Sequence, residues 1–121
     1  MRYMALIYSD EEQWVSLSGE EREAIYDRYR ALSQEAQEAG VMVGGNELGP
    51  TRDATTVRVR GDETLVTDGP YAEAKEALGG YFLLECESMD DAIEWAARIP
   101  GAEHGAVEVR PVYVDPAEVQ L

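Results

Sequence analysis

Two segments of the chain have apolar side chains at successive positions: residues 3–8 (YMALIY) throughout, and residues 80–87 (GYFLLECE) at positions 81–84 and again at Cys86. Successive side chains of a strand point to opposite faces of the sheet, so each segment would present an apolar row on both faces. Strands of that kind are covered on both sides and lie at the centre of a sheet. The two segments therefore predict a sheet with two central strands, and every other element must extend or cover it.

Two further segments have helix signals. Ser18 and Glu21 have the spacing of a capping box, and Gly40 suits a left-handed stop, so the first helix is predicted over about residues 19–39. Its apolar positions are Ile25, Tyr29, Leu32, Ala36 and Ala39. Ser88 is expected to open a second helix, which Pro100-Gly101 ends. The predicted core face of that helix consists of Ala92, Ile93, Ala96 and Ile99.

The remaining strand signals are weaker and more polar. Residues 41–48 (VMVGGNEL) predict a short strand with a bulge or a close backbone approach at Gly44-Gly45. Residues 55–60 and 63–67 predict a peripheral hairpin. The last strand is predicted at residues 106–114, and Pro111 within it favours an edge position or a bulge, because proline donates no ladder hydrogen bond.

The element order is strand, helix, strand, inserted hairpin, strand, helix, strand. This is the split β-α-β pattern of an α+β, ferredoxin-like βαββαβ fold. The length of 121 residues fits a single domain. We predict a core of about residues 1–114 and a short C-terminal tail at 115–121.

Two helices can cover only one face of such a sheet, although both central strands are apolar on both faces. Leaving about five or six large side chains bare would forgo on the order of 10 kcal/mol, at about 80 Å² each and roughly 25 cal/mol per Å². We therefore expect a homodimer whose sheets pack face to face. The alternative is that residues 44–54 fold over the bare face.

The charge balance excludes some partners. The chain has 25 Asp and Glu against 10 Lys and Arg, and its formal net charge is -15. This charge would repel a phosphate backbone, so nucleic-acid binding is not expected. Solubility or a salty cytoplasm explains the acidic excess more simply than capture of a cationic partner. A single cysteine and no apolar segment long enough for a signal sequence or a membrane span predict a cytoplasmic protein.

The polar segment that follows the hairpin has the most concentrated functional candidates. Asp68-Gly69-Pro70 is explained as a turn, since glycine permits a positive φ and aspartate accepts a turn hydrogen bond. The alternative is that Asp68 acts as a desolvated general base in a cleft beside the hairpin, where Lys75 holds an anionic substrate group. The neighbouring candidates for substrate binding are Tyr71, Glu73, Lys75 and Glu76.

Two candidates lie outside this segment. His104 is the only histidine and follows a Pro-Gly stop; such a loop histidine is usually solvated, but its pKa near neutrality suits acid–base catalysis. Arg110 alternates with Glu108 and is most simply an edge-strand ion pair, although an arginine on a sheet face can also bind a carboxylate.

The sequence contains no motif typical of a zinc or calcium site, a nucleotide-binding loop or a nucleophilic serine. One histidine and one cysteine cannot form a His/Cys zinc site, and the spacing of a calcium loop is absent. Residues 44–49 (GGNELG) match neither a dinucleotide fingerprint nor a P-loop. No serine has a nucleophile-elbow motif around it, and Cys86 is expected to be an inert core residue. We therefore predict neither metal nor cofactor.

The segment DGPYAEAKEALGGYFLLE, with MALIY at the start, GGNEL before the hairpin and GAVEVRPV near the end, resembles the YCII-related superfamily, specifically its DGPF-domain branch. Tyr71 stands where the branch name has phenylalanine. The resemblance spans about residues 1–114. The residues that match the motif are Asp68, Gly69, Pro70, Ala72, Glu73, Lys75, Glu76, Gly79 and Gly80.

The resemblance implies a ferredoxin-like fold that dimerises into an α/β barrel, in a small bacterial cytoplasmic protein. It also implies an association with sigma factors of the extracytoplasmic-function type. In the wider group a His-Asp pair has been proposed as an active site, and one relative is a dehydrochlorinase of a chlorinated hydroxyquinol. Residues 9–40 contain no histidine, so neither the pair nor that lyase activity carries over to this chain.

Two functional hypotheses follow. The first is a dimer with a small pocket between sheet and hairpin, lined by residues 68–76, that binds or transforms a small polar or aromatic metabolite. In an enzyme of that kind Asp68 would be the base, Lys75 or Arg110 would orient the substrate, and His104 would be the acid. The second is a non-catalytic regulatory protein, associated with a sigma factor, in which the Asp-Gly-Pro segment is architectural.

Overall fold

The computed structural model describes residues 1–113, which form six strands, three helices and two short 3-10 turns. The strands are β1 (Arg2–Asp10), β2 (Met42–Glu47), β3 (Thr55–Arg60), β4 (Glu63–Asp68), β5 (Glu76–Glu85) and β6 (Ala106–Pro111). The helices are α1 (Glu11–Ser16), α2 (Gly19–Glu38) and α3 (Met89–Ala96), and the turns are Thr51–Asp53 and Pro100–Glu103. The predicted tail at 115–121 and the last residue of the predicted final strand, Val114, lie outside the described residues.

The main sheet has four strands in the order β2-β5-β1-β6, and every neighbouring pair is antiparallel. Helix α2 connects β1 to β2 with β5 lying between them, and α3 connects β5 to β6 with β1 lying between them. This arrangement is compatible with the predicted ferredoxin-like fold. Strand β6 is an edge strand that ends at Pro111, as the proline predicted.

The core lies between the sheet and the helices. Ala5 of β1 stands opposite Phe82 of β5, and Tyr3 stands opposite Leu84, so these buried pairs share one face. The helical side of this core is formed by Leu32, Ala92, Ala96 and Ile99, and Ala36 of α2 is also buried. On the opposite face, Met4 pairs with Leu83 and Leu6 with Tyr81. These four side chains are half-buried, so the two central strands do present apolar residues on both faces.

The predicted starts of both helices and the predicted end of the first are confirmed, whereas α3 ends at Ala96, before the predicted stop at Pro100-Gly101, which begins a 3-10 turn. The Ser18 hydroxyl accepts a hydrogen bond from the Glu21 amide at 3.0 Å, and the Glu21 carboxylate accepts one from the Ser18 amide at 2.9 Å. This reciprocal pair is the capping box that the sequence indicates. Gly40 adopts a φ of 73° directly after α2. Ser88 caps α3 through a hydrogen bond from the Asp91 amide.

Three other details of the predicted elements are wrong. Strand β5 starts at Glu76 instead of Gly80, because β1 continues past a bulge at Ile7/Tyr8 and pairs with residues 76–78. The strand ends at Glu85 instead of Glu87. Ile93 is 49% exposed, since α3 is only eight residues long and its core face is filled by the alanines. Helix α1 was not predicted at all.

The inserted hairpin of β3 and β4 is peripheral, as predicted. Its two strands pair only with each other, and the opposed Val57 and Val66 are 59% and 64% exposed. Its base is closed at Gly69, which has a φ of 102° and whose amide donates to the Ala54 carbonyl at 2.8 Å. The Thr56 hydroxyl donates to the Gly69 carbonyl at 2.8 Å. The Asp-Gly-Pro segment therefore has a definite architectural role.

No helix within residues 1–113 is long and apolar enough to cross a membrane.

Gly105 allows the closest backbone approach in the fold. A Cβ at this position would lie 2.0 Å from the Tyr8 carbonyl oxygen of β1, so Gly105→Ala must push β6 away from the centre of the sheet. We expect a loss of about 2–3 kcal/mol in the free energy of unfolding, measured by urea denaturation. Gly19→Ala is the control, since its Cβ has nothing within 4 Å at the start of α2 and should leave stability unchanged or slightly increased. Equal stability of the two variants would contradict this packing.

Candidate functional site

A cleft of about 1120 Å³ opens between the two N-terminal helices and one end of the main sheet. We call it the helix cleft. Helices α1 and α2 form one wall, residues 45–52 form the other, and the first half of β5 together with Ile7 and Ser9 forms the floor. Its volume is that of a site for a small organic molecule.

Helix α1 is held in place by polar contacts at both ends. Asp10 caps its start by accepting a hydrogen bond from the Glu12 amide at 2.9 Å. The Arg22 guanidinium of α2 donates to the carbonyl oxygens of Trp14 and Val15 at 3.4 and 3.3 Å, near the end of α1. These contacts fix α1 against α2 and place the Trp14 side chain in the cleft wall.

The loop that follows β2 is tied to the same helix. The Glu11 carboxylate accepts hydrogen bonds from the Thr51 amide and the Thr51 hydroxyl, at 3.0 and 2.5 Å. Both carboxylate oxygens are thus engaged. The loop is held on the helix side of the sheet, where Pro50 and Arg52 line the cleft.

Helix α2 has two adjacent stripes of side chains. Leu32 and Ala36 are buried in the core, whereas Arg22, Tyr26 and Ser33 line the cleft at spacings of four and seven residues. Residues at such spacings lie above one another on a helix, so one helix serves both the core and the cleft.

Four aromatic side chains line the cleft. Trp14 and Tyr26 form an edge-to-face pair with ring centroids 5.4 Å apart and an interplanar angle of 86°. Tyr29 and Phe82 form a second pair at 6.3 Å and 70°. The Tyr29 hydroxyl accepts a hydrogen bond from the Gly101 amide at 3.1 Å, which anchors this pair against the core. The cleft is therefore an aromatic site with ordered walls.

A donor and an acceptor meet at the end of β2. The Tyr26 hydroxyl donates a hydrogen bond to the Glu47 carboxylate at 3.0 Å. Burial raises the pKa of Tyr26, and the hydrogen bond and negative charge of Glu47 raise it further. Burial likewise raises the pKa of Tyr29. Both phenols therefore stay protonated across the neutral range and can donate hydrogen bonds.

The structure places the predicted residues of the Asp-Gly-Pro segment outside this cleft. Asp68 ends β4 opposite Thr55, and Tyr71 is 78% exposed beneath the Arg58 guanidinium, which lies 5.3 Å from the ring centroid. Asp68, Tyr71, Glu73, Lys75 and Glu76 are all exposed, and none is among the cleft-lining residues. The cleft floor begins at Ala77, immediately after the segment. A catalytic or binding role for these five residues stays a prediction.

The other two predicted site residues are also exposed and lie apart from the cleft lining. His104 follows the second 3-10 turn, next to Glu103, whose carboxylate pairs with Arg28 at 2.6 Å. The Arg28 guanidinium lowers the pKa of Glu103. Arg110 lies 3.5 Å from the Glu108 carboxylate on β6, which is the edge-strand ion pair considered from the sequence.

The sequence analysis missed Trp14, Tyr26 and Glu47. A signal for α1 was present, because Asp10 followed by two glutamates is typical of a capped first turn. The spacing of Tyr26 and Tyr29 could have indicated an aromatic stripe beside the core stripe of α2. Nothing local indicated Glu47, whose role depends on the pairing of β2 with β5.

Within residues 1–113, no group of three or more His, Cys, Asp and Glu side chains could hold a metal ion.

Comparison with known proteins gives two consistent matches. A sequence profile of the YCII-related domain matches residues 1–114. The chain is also 39% identical over 114 residues to uncharacterized protein R00369 of Rhizobium meliloti strain 1021. That alignment covers 93% of this chain and 92% of the relative.

The contact between Tyr26 and Glu47 predicts a linked titration. Glu47→Gln removes the negative charge that favours the protonated phenol, so we expect the pKa of Tyr26 to fall toward that of a free tyrosine. NMR detection of the Tyr26 ring carbon that bears the hydroxyl, followed against pH, measures this shift. Glu12→Gln is the control, since it removes an exposed carboxylate of the same cleft that is not bonded to Tyr26. An unchanged titration in Glu47→Gln would contradict the contact.

Proposed function

The chain belongs to the YCII-related family, and from this membership we propose that it is a homodimeric cytoplasmic protein whose helix cleft binds a small polar or aromatic metabolite. The single observation that supports this most is the cleft itself, with four aromatic side chains on its walls and a volume of about 1120 Å³. Sites for small molecules are mostly apolar concavities with a few placed polar groups.

The polar groups of the cleft suit recognition of a ligand's functional groups. Tyr26 supplies a hydroxyl and Glu47 a carboxylate at the end of β2, while Ser9 and Ser33 supply hydroxyls elsewhere in the lining. A ring held by the aromatic walls would leave its substituents to these groups. At the Tyr26–Glu47 contact a bound molecule would meet acceptor sites, because the single phenol proton is donated to Glu47 and the remaining lone pairs of the carboxylate are free.

The homodimer is supported by the bare face of the sheet. Met4, Leu6, Tyr81 and Leu83 lie on the face away from the helices. Of residues 44–54, the segment that could have covered them, Leu48, Gly49, Pro50 and Arg52 instead line the cleft on the helix side. Burying this apolar face against a second copy would remove it from water. Two sheets joined in this way would form the α/β barrel that the family resemblance implies.

A second candidate function is regulatory contact with a protein such as an extracytoplasmic-function sigma factor. The observation that favours it is the hairpin, whose Val57, Val59 and Val66 are exposed although they are β-branched and apolar. An exposed apolar strand surface can bind a protein partner.

Ligand binding in the helix cleft can be followed with the two tryptophans of the chain. Trp14 lines the cleft, whereas Trp95 on α3 stacks against the Arg98 guanidinium, 4.8 Å from its ring centroid. A metabolite found by thermal-shift screening should change the emission of Trp14 in a Trp95→Phe variant. It should leave the emission of Trp95 unchanged in a Trp14→Phe variant.

Filling the cleft provides the matching control. Ser33→Phe adds a ring to the lining of the cleft, and we expect it to weaken binding of the same metabolite by about tenfold or more. Ala24→Phe adds the same ring to an exposed position of α2 and should leave binding unchanged. Equal binding by the two variants, or no thermal shift with any metabolite, would contradict a ligand site in the cleft.

The dimer has its own test. Leu83→Glu places a charge at the centre of the bare face, and we expect dissociation to a monomer, with the dimer weakened about 100-fold or more. Light scattering on a sizing column distinguishes the 13.4 kDa chain from twice that mass. Val66→Glu makes the same change on the exposed hairpin and should stay dimeric. A wild-type monomer at micromolar concentration would refute the dimer.

A further inference from the structure

The arrangement of the aromatic side chains in the helix cleft suits a positively charged group as well as a flat apolar ring. Trp14 and Tyr26 stand at 86° to each other, so their ring planes form two sides of a corner. The face of an aromatic ring has a negative electrostatic potential and attracts a cation. The guanidinium of Arg30 already lies over the Tyr26 ring at 5.9 Å from its centroid, which is an instance of this attraction in the cleft wall.

The lining of the helix cleft has as many carboxylates as guanidinium groups, but these groups differ in whether other residues already bind them. The three carboxylates are Glu11, Glu12 and Glu47, and the three guanidinium groups are Arg22, Arg30 and Arg52. Arg30 pairs with Glu23 at 3.0 Å and with Asp27 at 2.6 Å, so two carboxylates outside the lining balance its charge. Arg22 donates to two carbonyl oxygens of α1, which engages its donors without neutralising its charge. Arg52 is exposed and forms no ion pair within residues 1–113.

Two carboxylates of the lining have spare acceptor sites, Glu12 and Glu47, and Glu47 is the one that contacts an aromatic side chain of the cleft. Glu11 has both oxygens bonded to Thr51, whereas Glu47 accepts one bond, from Tyr26, through a single oxygen. A carboxylate has about four acceptor sites, so most of those of Glu47 are left for another group. Its charge lies at the hydroxyl end of the Tyr26 ring, to which it is hydrogen-bonded at 3.0 Å, and Tyr26 is the partner of Trp14 in the aromatic pair.

Together these features form an aromatic corner with an adjacent carboxylate, in a chain with a formal net charge of -15. We propose that the helix cleft binds an organic cation, an ammonium compound whose charged head lies against Trp14 and Tyr26 and is neutralised by Glu47. This proposal rests on the proposed function, since it names the chemical class of ligand for the same cleft. The acidic protein would also raise the local concentration of cations over that of anions.

Three probes of nearly equal shape test the charge directly. Choline has a trimethylammonium head, 3,3-dimethylbutan-1-ol replaces the nitrogen by carbon and is neutral, and 3,3-dimethylbutanoate combines the same apolar head with an anionic end. We expect choline to bind about tenfold more tightly than the neutral alcohol in calorimetric titrations of the full-length protein, and the carboxylate to bind most weakly. The affinity for choline should also fall as salt is added.

Variants assign the effect to the cleft. Glu47→Gln should weaken choline binding about fivefold and leave binding of the neutral alcohol unchanged. Trp14→Leu should weaken choline binding by a similar factor. Glu94→Gln removes an exposed carboxylate of α3, outside the cleft lining, and is the matched control for the change in net charge.

The outcomes separate the two proposals. If the neutral alcohol or the carboxylate binds through Trp14 as tightly as choline or more tightly, the cleft is a ligand site but not one for cations, and the inference is overturned. If none of the three probes binds, the inference is also overturned, and the metabolite screen with Ser33→Phe decides separately whether the cleft is a ligand site. Equal loss of choline binding in Glu94→Gln and Glu47→Gln would show that net charge, and not this carboxylate, is responsible.

Discussion

The pairing of β1 with β5 is the constraint on which the rest of the structure depends. These two strands form the centre of the sheet, and their side chains Ala5, Phe82 and Leu84 provide the layer against which α2 and α3 pack. The pairing continues past a bulge at Ile7/Tyr8, so β1 reaches Asp10 before the chain turns into α1. The helix cleft lies just beyond this bulge. Its floor, its short helix and its aromatic walls are consequences of how far the central pair extends.

Most of the fold was predictable because its signals are local or periodic. The doubly apolar segments identified the central strands, and Ser18 with Glu21 identified the start of α2, since a capping box involves residues only three positions apart. Pro111 indicated an edge position or a bulge for β6, and the ferredoxin-like strand order favoured the edge. The extent of β5 could not be predicted in this way, because residues 76–78 form a strand only through their partners on β1.

The candidate site was harder to predict for a related reason. The sequence analysis favoured residues 68–76, where charged side chains concentrate, but the structure shows that this segment is exposed and that Gly69 closes the hairpin. The side chains of the cleft come from positions far apart in the chain, among them Trp14, Tyr26 and Glu47. Each is unremarkable in its own segment. Their proximity results from packing α1 against α2 and from placing β2 at the edge of the sheet beside β5.

The hairpin of β3 and β4 also has a mechanical relation to the cleft. Its two connections to the sheet are residues 48–54 and 69–75, and the first of these includes cleft-wall residues while the second leads directly into the cleft floor at Ala77. Because the strands of the hairpin pair only with each other, its position relative to the central sheet is set by these two connections. The first connection is itself fixed to α1 by the hydrogen bonds between Thr51 and Glu11. The segment that anchors the hairpin is therefore also part of the cleft wall.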